Sequence, residues 1–191
     1  MRRPSAPIIV AGSLRGRRLA VPEGLVTRPV RSRVRESIFD MLGDRVRGAR
    51  VVDLYAGSGA LGLEALSRGA ARCTFVENER VALAALRSNL DACGIGADRA
   101  EVLVQDARTW RPESGVRFDL VLADPPFALL DPLPRELGAP GALAADGLVV
   151  IESPAERLGP LRVPGLSLLR RRVYGRSAVC VYVPRESTPS A

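Results

Sequence analysis

The chain has 191 residues, of which 47% are hydrophobic and 26% are charged, proportions typical of one soluble globular domain. All 28 basic residues are arginine and there is no histidine. This excludes a lysine Schiff base, a Walker-type lysine, a Ser-His-Asp triad and a histidine-bound metal. The formal net charge of +7 favours a polyanionic partner, most simply nucleic acid.

The cysteines and the hydropathy pattern bear on metals and on location. Cys73, Cys93 and Cys180 are widely spaced and form no C-x-x-C pair, so we expect buried thiols rather than disulfides or a zinc site. No apolar run approaches the about 18 residues that cross a bilayer, and none near the N-terminus is long enough for a secretory signal. We therefore expect a cytoplasmic monomer with no membrane partner and no metal.

Residues 1–47 are predicted to form a basic extension. Short apolar runs between Ile8 and Pro22 flank a Gly- and Arg-rich centre, typical of a β-hairpin. Apolar residues at helical spacing then predict an amphipathic helix that ends at Gly43. Six arginines lie at the hairpin tip or mostly off the apolar stripe of the helix: Arg15, Arg17, Arg18, Arg31, Arg33 and Arg35. The cluster favours contacts to nucleic-acid phosphates; the alternative is a solvated helix face.

Residues 48–185 alternate between apolar strands and helices, which predicts an α/β fold with a mainly parallel sheet covered on both faces. The predicted strands are Val51–Tyr55, Cys73–Val76, Glu101–Val104, Phe118–Ala123 and Leu148–Ile151. The predicted helices are Leu61–Ser67, Glu79–Cys93 and a proline-interrupted region, Leu129–Leu143. Two last strands, Leu166–Val173 and Ser177–Val183, are joined by a turn too short for a parallel crossover, which predicts an antiparallel edge hairpin. Residues 186–191 are predicted to be a flexible tail.

A glycine-rich stretch, Gly57 to Gly62 (GSGALG), follows the first of these strands. It matches the G-x-G-x-x-G fingerprint of dinucleotide sites, where the loop and the helix N-terminus hold a pyrophosphate. Here Asp53 precedes the loop, and a carboxylate repels a pyrophosphate but attracts the ammonium group of S-adenosylmethionine. Glu77, about 20 residues on, suits a ribose diol in either cofactor and does not discriminate. A purely structural loop is the third alternative.

The stretch Asp124-Pro125-Pro126-Phe127 directly follows the fourth strand. Two prolines hold an extended backbone and remove two N–H donors, which leaves carbonyl groups and the Asp124 carboxylate as acceptors beside the Phe127 ring. This set suits the exocyclic amine of a nucleobase, because accepting both hydrogens localises the nitrogen lone pair for attack on a methyl group. No histidine or lysine base is required, since the amine loses its proton after the transfer. The structural alternative is an ordinary Asp-Pro turn.

Together, D-P-P-F and V-D-L-Y-A-G-S-G-A-L-G resemble the Rossmann-like amino methyltransferases. The elements R-x-R-x-L-x-V-P, T-R-P and R-V-R-E-S-I-F-D-M-L are similar to one subfamily, the bacterial methyltransferases that act on guanine N2 of small-subunit (16S) ribosomal RNA. The similarity runs from the hairpin to Tyr174-Gly175. One departure is R-P-V-R-S-R at residues 28–33, where the family usually has a threonine-rich R-P-T-x-x-R.

That resemblance implies a Rossmann-like class I methyltransferase with a mixed seven-stranded sheet, helices on both faces and a small N-terminal hairpin and helix. It implies S-adenosylmethionine as cofactor, S-adenosylhomocysteine as product, and ribosomal RNA as partner, within the small subunit or an assembly intermediate. The RNA-binding extension would be residues 1–47 and the methyltransferase domain residues 48–185.

The resemblance also implies roles for particular residues. Asp53, Gly57 and Gly59 would cradle the methionine end of the cofactor, Glu77 would hold the ribose and Asp106 the adenine amine. The full implied cofactor set is Asp53, Tyr55, Ala56, Gly57, Ser58, Gly59, Glu77, Asn78, Asp106, Ala107 and Asp124. The implied catalytic set, which would position the target base, is Asp124, Pro125, Pro126 and Phe127.

Other functions explain the sequence less well. A nicotinamide-dependent oxidoreductase fits Gly57 to Gly62 but conflicts with Asp53 and lacks a histidine or lysine proton relay. A 5-methylcytosine methyltransferase needs a cysteine nucleophile, usually after a proline, and no proline precedes a cysteine here. A non-enzymatic nucleic-acid-binding protein is disfavoured by the intact acidic and D-P-P-F positions. A DNA methyltransferase acting on adenine N6 or cytosine N4 has the same active-site chemistry and stays open.

Overall fold

The computed structural model describes residues 6–21, 29–126, 142–156 and 163–185. Its helices are α1 (Pro29–Leu42), α2 (Ala60–Ser67) and α3 (Arg80–Cys93), and a 3-10 turn, Gly43–Val46, follows α1. Its strands are β1 (Arg50–Leu54), β2 (Arg72–Glu77), β3 (Ala100–Val104), β4 (Phe118–Ala123), β5 (Leu143–Pro154), β6 (Leu166–Tyr174) and β7 (Ser177–Pro184). None of these helices is long and apolar enough to cross a membrane.

The strands form one mixed seven-stranded sheet in the order β3-β2-β1-β4-β5-β7-β6. Strands β1 to β5 pair in parallel, and β7 is antiparallel to both β5 and β6. The predicted parallel sheet with an antiparallel edge hairpin is therefore confirmed. The chain order reverses between β1 and β4, and in open α/β sheets ligands bind beyond the carboxyl ends of the strands at such a switch point.

Local sequence explains where the helices begin and end. The Glu79 carboxylate accepts a hydrogen bond of 2.7 Å from the N–H of Ala82, which caps the start of α3. At the other end Gly94 adopts the left-handed conformation that closes many helices. Between them, apolar residues at helical spacing bury one face, including Leu83, Leu86 and Leu90.

Two apolar cores cover the two faces of the sheet. On the first face, α1, α2 and α3 pack on strand residues such as Val51 and Phe75. On the second face the core includes Val121 and Trp110, and the Trp110 ring lies 5.6 Å from the Phe118 ring between centroids. All three α-helices of the described residues thus lie on the first face.

The predicted helical region Leu129–Leu143 lies outside the described residues as far as residue 141. The prediction is wrong for its last residue: Leu143 is not helical but begins β5, where it pairs with Phe118 of β4. Strand β5 is therefore longer than the predicted Leu148–Ile151. A register shift between Phe118 and Leu120 accommodates the extra residues.

The N-terminal segment, residues 6–21, is docked on α2 and α3 rather than standing apart. It turns back on itself with a single antiparallel bridge between Ile8 and Arg18. The fully buried Glu64 carboxylate accepts hydrogen bonds from the N–H groups of Val10 (2.8 Å) and Ala11 (3.0 Å). Because Ile9, Leu19 and the buried side chains of α1 belong to the first core, the extension shares its core with the rest of the chain.

Candidate active site at the carboxyl edge of the sheet

Asp53, a residue of β1, fixes the glycine loop between β1 and α2 by a hydrogen bond to the start of α2. The Asp53 side chain is 1% exposed, and its carboxylate accepts a 2.9 Å hydrogen bond from the N–H of Gly62. Burial raises the pKa of Asp53 well above its usual value; the Gly62 N–H opposes this, while the charges of Asp124 and Glu77 raise it further. In this geometry the carboxyl group of Asp53 ties α2 to the end of β1; its contact with a ligand ammonium stays a prediction.

Two glycines of the motif, Gly59 at the end of the loop and Gly62 in α2, are required by the local geometry. Gly59 has φ of 81°, a left-handed conformation that side chains disfavour. A Cβ on Gly62 would stand 2.3 Å from Cε1 of Phe75, so α2 can approach β2 this closely only with glycine there. The third glycine of the motif thus serves helix-strand packing, as in nucleotide-binding folds.

Tyr55 occupies a strained position at the end of β1. Its φ of 60° is the one positive value that a non-glycine residue of the described chain adopts, and such strain persists where surrounding contacts enforce it. Its buried hydroxyl has no hydrogen-bond partner among the described residues. Burial, followed by the Asp106 charge, raises the pKa of this hydroxyl. A buried hydroxyl without a partner calls for an explanation, and a polar group of a bound ligand is the one that the proposal below takes up.

Glu77 connects the ends of β1 and β2. One carboxylate oxygen accepts from the N–H of Gly57 (2.8 Å), and the other accepts from the N–H groups of Asn78 and Glu79, both at 2.8 Å. The Glu77 carboxylate therefore fixes the glycine loop relative to β2. Asn78 is exposed beside it.

Asp106 follows β3 and is paired with Arg108. The Arg108 guanidinium lies 2.6 Å from the carboxylate, and the backbone N–H of Arg108 donates to it at 2.9 Å. Hydrogen bonds from the Arg108 side chain and backbone hold the pKa of Asp106 below its usual range. Ala107, between them, is buried in the second core. An amine that bound to Asp106 would share its carboxylate with Arg108.

Asp124 and the two prolines lie at the switch point. Leu54 pairs with Ala123, so Tyr55 and Asp124 follow at neighbouring strand ends. Asp124 is partly buried, Pro125 is buried and Pro126 is exposed; Phe127 lies outside the described residues. The carboxylates of Glu77 and Asp124 thus lie at the ends of the two strands that flank β1 and its loop, which suits a cationic ligand better than a pyrophosphate.

The remaining loop residues have structural partners. The N–H of Ala56 donates to the carbonyl of Val76 (3.1 Å), which continues the pairing of β1 with β2. The carbonyl of Ser58 accepts a 2.9 Å hydrogen bond from the Asn89 side chain. The same Asn89 amide accepts from the N–H of Ala20 (2.7 Å) and donates to its carbonyl (2.9 Å). Asn89 therefore joins the loop to the N-terminal segment.

The hairpin-tip arginines lie farther from this site than expected. Arg15, Arg17 and Arg18 are exposed, but the N–H of Ser13 donates to the carbonyl of Ser67 (2.8 Å) and the Arg17 side chain to that of Ala92 (2.8 Å). Ser67 and Ala92 are at the carboxyl ends of α2 and α3, which run back to the amino edge of the sheet. Since α2 is about 12 Å long, the hairpin tip is displaced from the glycine loop by about one length of α2, toward the amino edge of the sheet.

The arginines of α1 differ from one another. Arg33 is exposed, and the Arg31 side chain lies outside the described part of the helix. Arg35 is 4% exposed: its Nε stands 3.4 Å from the Glu64 carboxylate, and its Nη2 donates to the carbonyl of Ile8. The prediction that Arg35 contacts nucleic acid is wrong, because position 35 shares a buried helix face with Ile38 and Leu42.

Comparison with known proteins identifies the family. The family model described as "Conserved hypothetical protein 95" matches residues 8–183. The chain belongs to this family. The ribosomal RNA small subunit methyltransferase D of Escherichia coli K12 is 38% identical over 176 residues, which are 91% of this chain and 88% of that protein. The resemblance to ribosomal RNA methyltransferases, inferred from sequence, is confirmed.

Solved structures of similar proteins confirm the fold. One is an Escherichia coli protein provisionally named a methyltransferase, with a TM-score of 0.82 and 38% identity, covering 94% of this chain and 98% of that one. Another is a hypothetical protein of Thermus thermophilus, with a TM-score of 0.76 and 36% identity, covering 93% of this chain and 99% of that one. The chain has the Rossmann-like class I methyltransferase fold.

Sequence reasoning missed several residues that shape this family member's site. Arg108 pairs with Asp106 from two positions away, and that short spacing was a usable signal. Asn89 and Glu64 hold the N-terminal segment, but they are polar residues within helices. Nothing in the hydropathy pattern distinguished Asn89 and Glu64 from helix residues that face solvent.

Proposed function

We propose that this protein transfers a methyl group from S-adenosylmethionine to the exocyclic N2 amine of a guanine in 16S ribosomal RNA. The observation that carries the proposal is the position of Asp124-Pro125-Pro126, at the carboxyl end of β4 beside the glycine loop. Family membership supports the substrate class, since the Escherichia coli relative is named as a small-subunit ribosomal RNA methyltransferase. The cofactor and the target atom are parts of the proposal.

The site fits S-adenosylmethionine in its chemistry. The cofactor supplies an electrophilic methyl group on a sulfonium, and its two cationic groups are compatible with the carboxylates at the ends of the strands that flank the loop. Glu77 would hold the ribose hydroxyls and Asp106 the adenine amine. The buried Tyr55 hydroxyl, which has no partner among the described residues, would gain one on binding.

The residues at the end of β4 would position the amine. The Asp124 carboxylate and the carbonyls of the proline pair accept both hydrogens of the guanine N2 group, and the prolines have no N–H that would compete. The nitrogen lone pair is then localised toward the methyl group; the new N–C bond forms as the C–S bond breaks. The methylated nitrogen then releases one proton to water by way of Asp124. Phe127 would offer a stacking face to the base.

The arginines would hold the RNA around this site. A guanine inside a helix must be extruded before its amine reaches the pocket, while phosphate contacts fix the surrounding strand. Arg31 and Arg33 of α1 are assigned to this role, and the tip residues Arg15, Arg17 and Arg18 to more distant phosphates. Ribosomal RNA as substrate implies a cytoplasmic enzyme, and we expect it to act as a monomer.

Transfer of radiolabelled methyl from S-adenosylmethionine tests the proposal. Small ribosomal subunits from a strain lacking this protein, naked 16S RNA and duplex DNA are offered side by side, and the labelled nucleoside is identified. N2-methylguanosine in the ribosomal RNA is the expected result. Label in DNA as N6-methyladenine or N4-methylcytosine would instead support the DNA methyltransferase alternative. Label on any ribosomal atom other than guanine N2 would refute the assigned target.

A further inference from the structure

Strand β6 forms one edge of the sheet and carries a run of exposed arginines. Among the described strands it pairs with β7 alone. Arg170 and Arg172 are exposed, whereas Arg171 between them is half-buried and donates to the carbonyl of Ala155 (3.2 Å). Nothing in the site described above uses Arg170 or Arg172.

The register decides which face of the sheet these arginines occupy. Directly paired residues of antiparallel strands point to the same face. Arg170 pairs with Val181 and Arg172 with Val179, and both valines belong to the core under α1, α2 and α3. Arg170 and Arg172 therefore lie on the α1 face, as Tyr174 does, whose hydroxyl is hydrogen-bonded to Ser37 of α1.

The same register gives the position of Arg172 along the strand direction, relative to the carboxyl edge of the sheet where Asp124 lies (the catalytic edge). Arg172 is level with Val179, and Val179 pairs with Glu152 of β5. Ile151 pairs with Ala123, so Arg172 stands level with Asp124, three strands across. Three inter-strand spacings of about 4.8 Å make this separation roughly 14 Å. Arg33, one turn before Ser37 on α1, projects from the same side.

Arg170 and Arg172 have no carboxylate partner in the part of the chain that the structure describes. Among the described residues, neither has a carboxylate within ion-pair distance, including Glu36 and Asp40, the exposed carboxylates of α1. Two guanidinium groups without a carboxylate partner among the described residues, one level with Asp124 and the other two residues earlier on β6, attract a polyanion. By contrast, the hairpin-tip arginines lie over the amino-edge ends of α2 and α3.

We propose that Arg170 and Arg172, with Arg33, form an RNA-phosphate contact surface beside the catalytic edge. The inference rests on the proposed function and extends it, because it names the side from which the RNA enters the site. The two β6 arginines lie on the same face of the sheet as Arg33 of α1, and the surface binds the backbone next to the extruded guanine without reading sequence.

A protein partner is the competing occupant of this edge. Leu168 and Val173 are exposed on β6, but they pair with Tyr182 and Ala178. Tyr182 belongs to the second core, so Leu168 lies on the opposite face from the two arginines. The charge of the α1 face therefore favours RNA there, and a protein contact through Leu168 becomes an outcome of the test.

The test compares two charge reversals of equal size. The variant Arg170→Glu/Arg172→Glu, called the β6 variant below, reverses two charges of the proposed surface. The control, Arg47→Glu/Arg117→Glu, reverses two exposed arginines that closely precede β1 and β4, at the amino edge. Binding to unmethylated small subunits is measured with S-adenosylhomocysteine present, between about 50 and 200 mM salt. Cofactor affinity, thermal unfolding and methyl transfer are measured alongside.

The expected result follows from counterion release. Each lost phosphate contact weakens binding about four- to fivefold near 0.15 M salt, so two contacts give roughly 15- to 30-fold and lower the log-log salt slope by about 1.5. The β6 variant should show this weaker binding and smaller salt slope with unchanged cofactor affinity and unfolding temperature. The control should bind small subunits like wild type. Equal effects in the two variants would overturn the surface assignment.

Two further outcomes separate the inference from the function on which it rests. Wild-type N2 methylation together with unaltered subunit binding by the β6 variant overturns the surface and leaves the function standing. Loss of binding in Leu168→Ser but not in the β6 variant also overturns it, in favour of a protein contact. Absence of any ribosomal methylation by the wild type overturns the proposed function itself.

Discussion

Replacing Arg35 with methionine gives the sharpest test of how the N-terminal extension is held. Methionine fills much of the same space but removes the charge next to Glu64, whose side chain is fully buried. Breaking a buried ion pair costs about 3–5 kcal/mol, because one charge stays buried without its partner. Glu64 keeps the N–H groups of Val10 and Ala11 and the Arg68 guanidinium at 2.8 Å. We therefore expect the lower end of that range, about 3 kcal/mol.

The matched control is Arg33→Met, one exposed arginine on the same helix. A surface substitution of this kind changes stability by about 0.5 kcal/mol or less. Urea unfolding of both variants measures the difference in the free energy of unfolding. In a thermal melt, about 3 kcal/mol corresponds to a fall of roughly 6–12 °C for a chain of this size.

Two results complete the argument about Arg35. Arg35→Met/Glu64→Gln should be less stable than Arg35→Met, because one oxygen of Glu64 accepts from Val10 and the other from Ala11 and Arg68, and an amide NH2 group cannot accept in place of either oxygen. RNA binding should weaken in Arg33→Met and not in Arg35→Met at temperatures where both are folded. Wild-type stability in Arg35→Met, combined with weaker RNA binding and a smaller salt slope, would refute the buried assignment.

Four other substitutions probe the site itself. Asp124→Ala should abolish methyl transfer and largely keep cofactor affinity, measured by calorimetry with S-adenosylhomocysteine; wild-type turnover would remove this carboxylate from the mechanism. Tyr55→Phe should raise the unfolding free energy by about 1 kcal/mol, since a buried hydroxyl without a described partner is costly, and should weaken cofactor binding several-fold; unchanged affinity would contradict the ligand contact. Gly62→Ala should destabilise by about 1–3 kcal/mol, because its Cβ would stand 2.3 Å from Phe75; a stable variant would mean that α2 can move away from β2. Burial raises the pKa of Asp53, so folding favours its protonated form: wild-type stability should fall as pH rises above the usual carboxyl pKa toward the raised value. Asp53→Asn should lack this loss, so its stability relative to wild type should grow as pH rises above the usual carboxyl pKa; a constant difference across urea titrations would show that the carboxyl group is not desolvated.

The sequence by itself determined the motif positions and most of the elements, although not the start of β5. Strand β4 begins and ends where the apolar run FDLVLA does. It ends just before Asp124 because the proline pair cannot continue the hydrogen bonding between strands. The alternation of strands and helices, together with the short turn before Ser177, was sufficient for a mixed sheet with an antiparallel edge. These features depend on backbone sterics and on hydrophobic periodicity, which act over a few residues.

The tertiary structure alone decided which polar side chains are available to a ligand. Arg33 and Arg35 look alike in the sequence, yet only Arg35 turns toward Glu64, 29 positions further along the chain. Likewise Asp53 meets the N–H of Gly62 inside the core, and Arg172 becomes level with Asp124 only through three strand pairings. Periodicity tells which side of an element is apolar, but the burial of a charge and the distance between sites depend on contacts between distant segments.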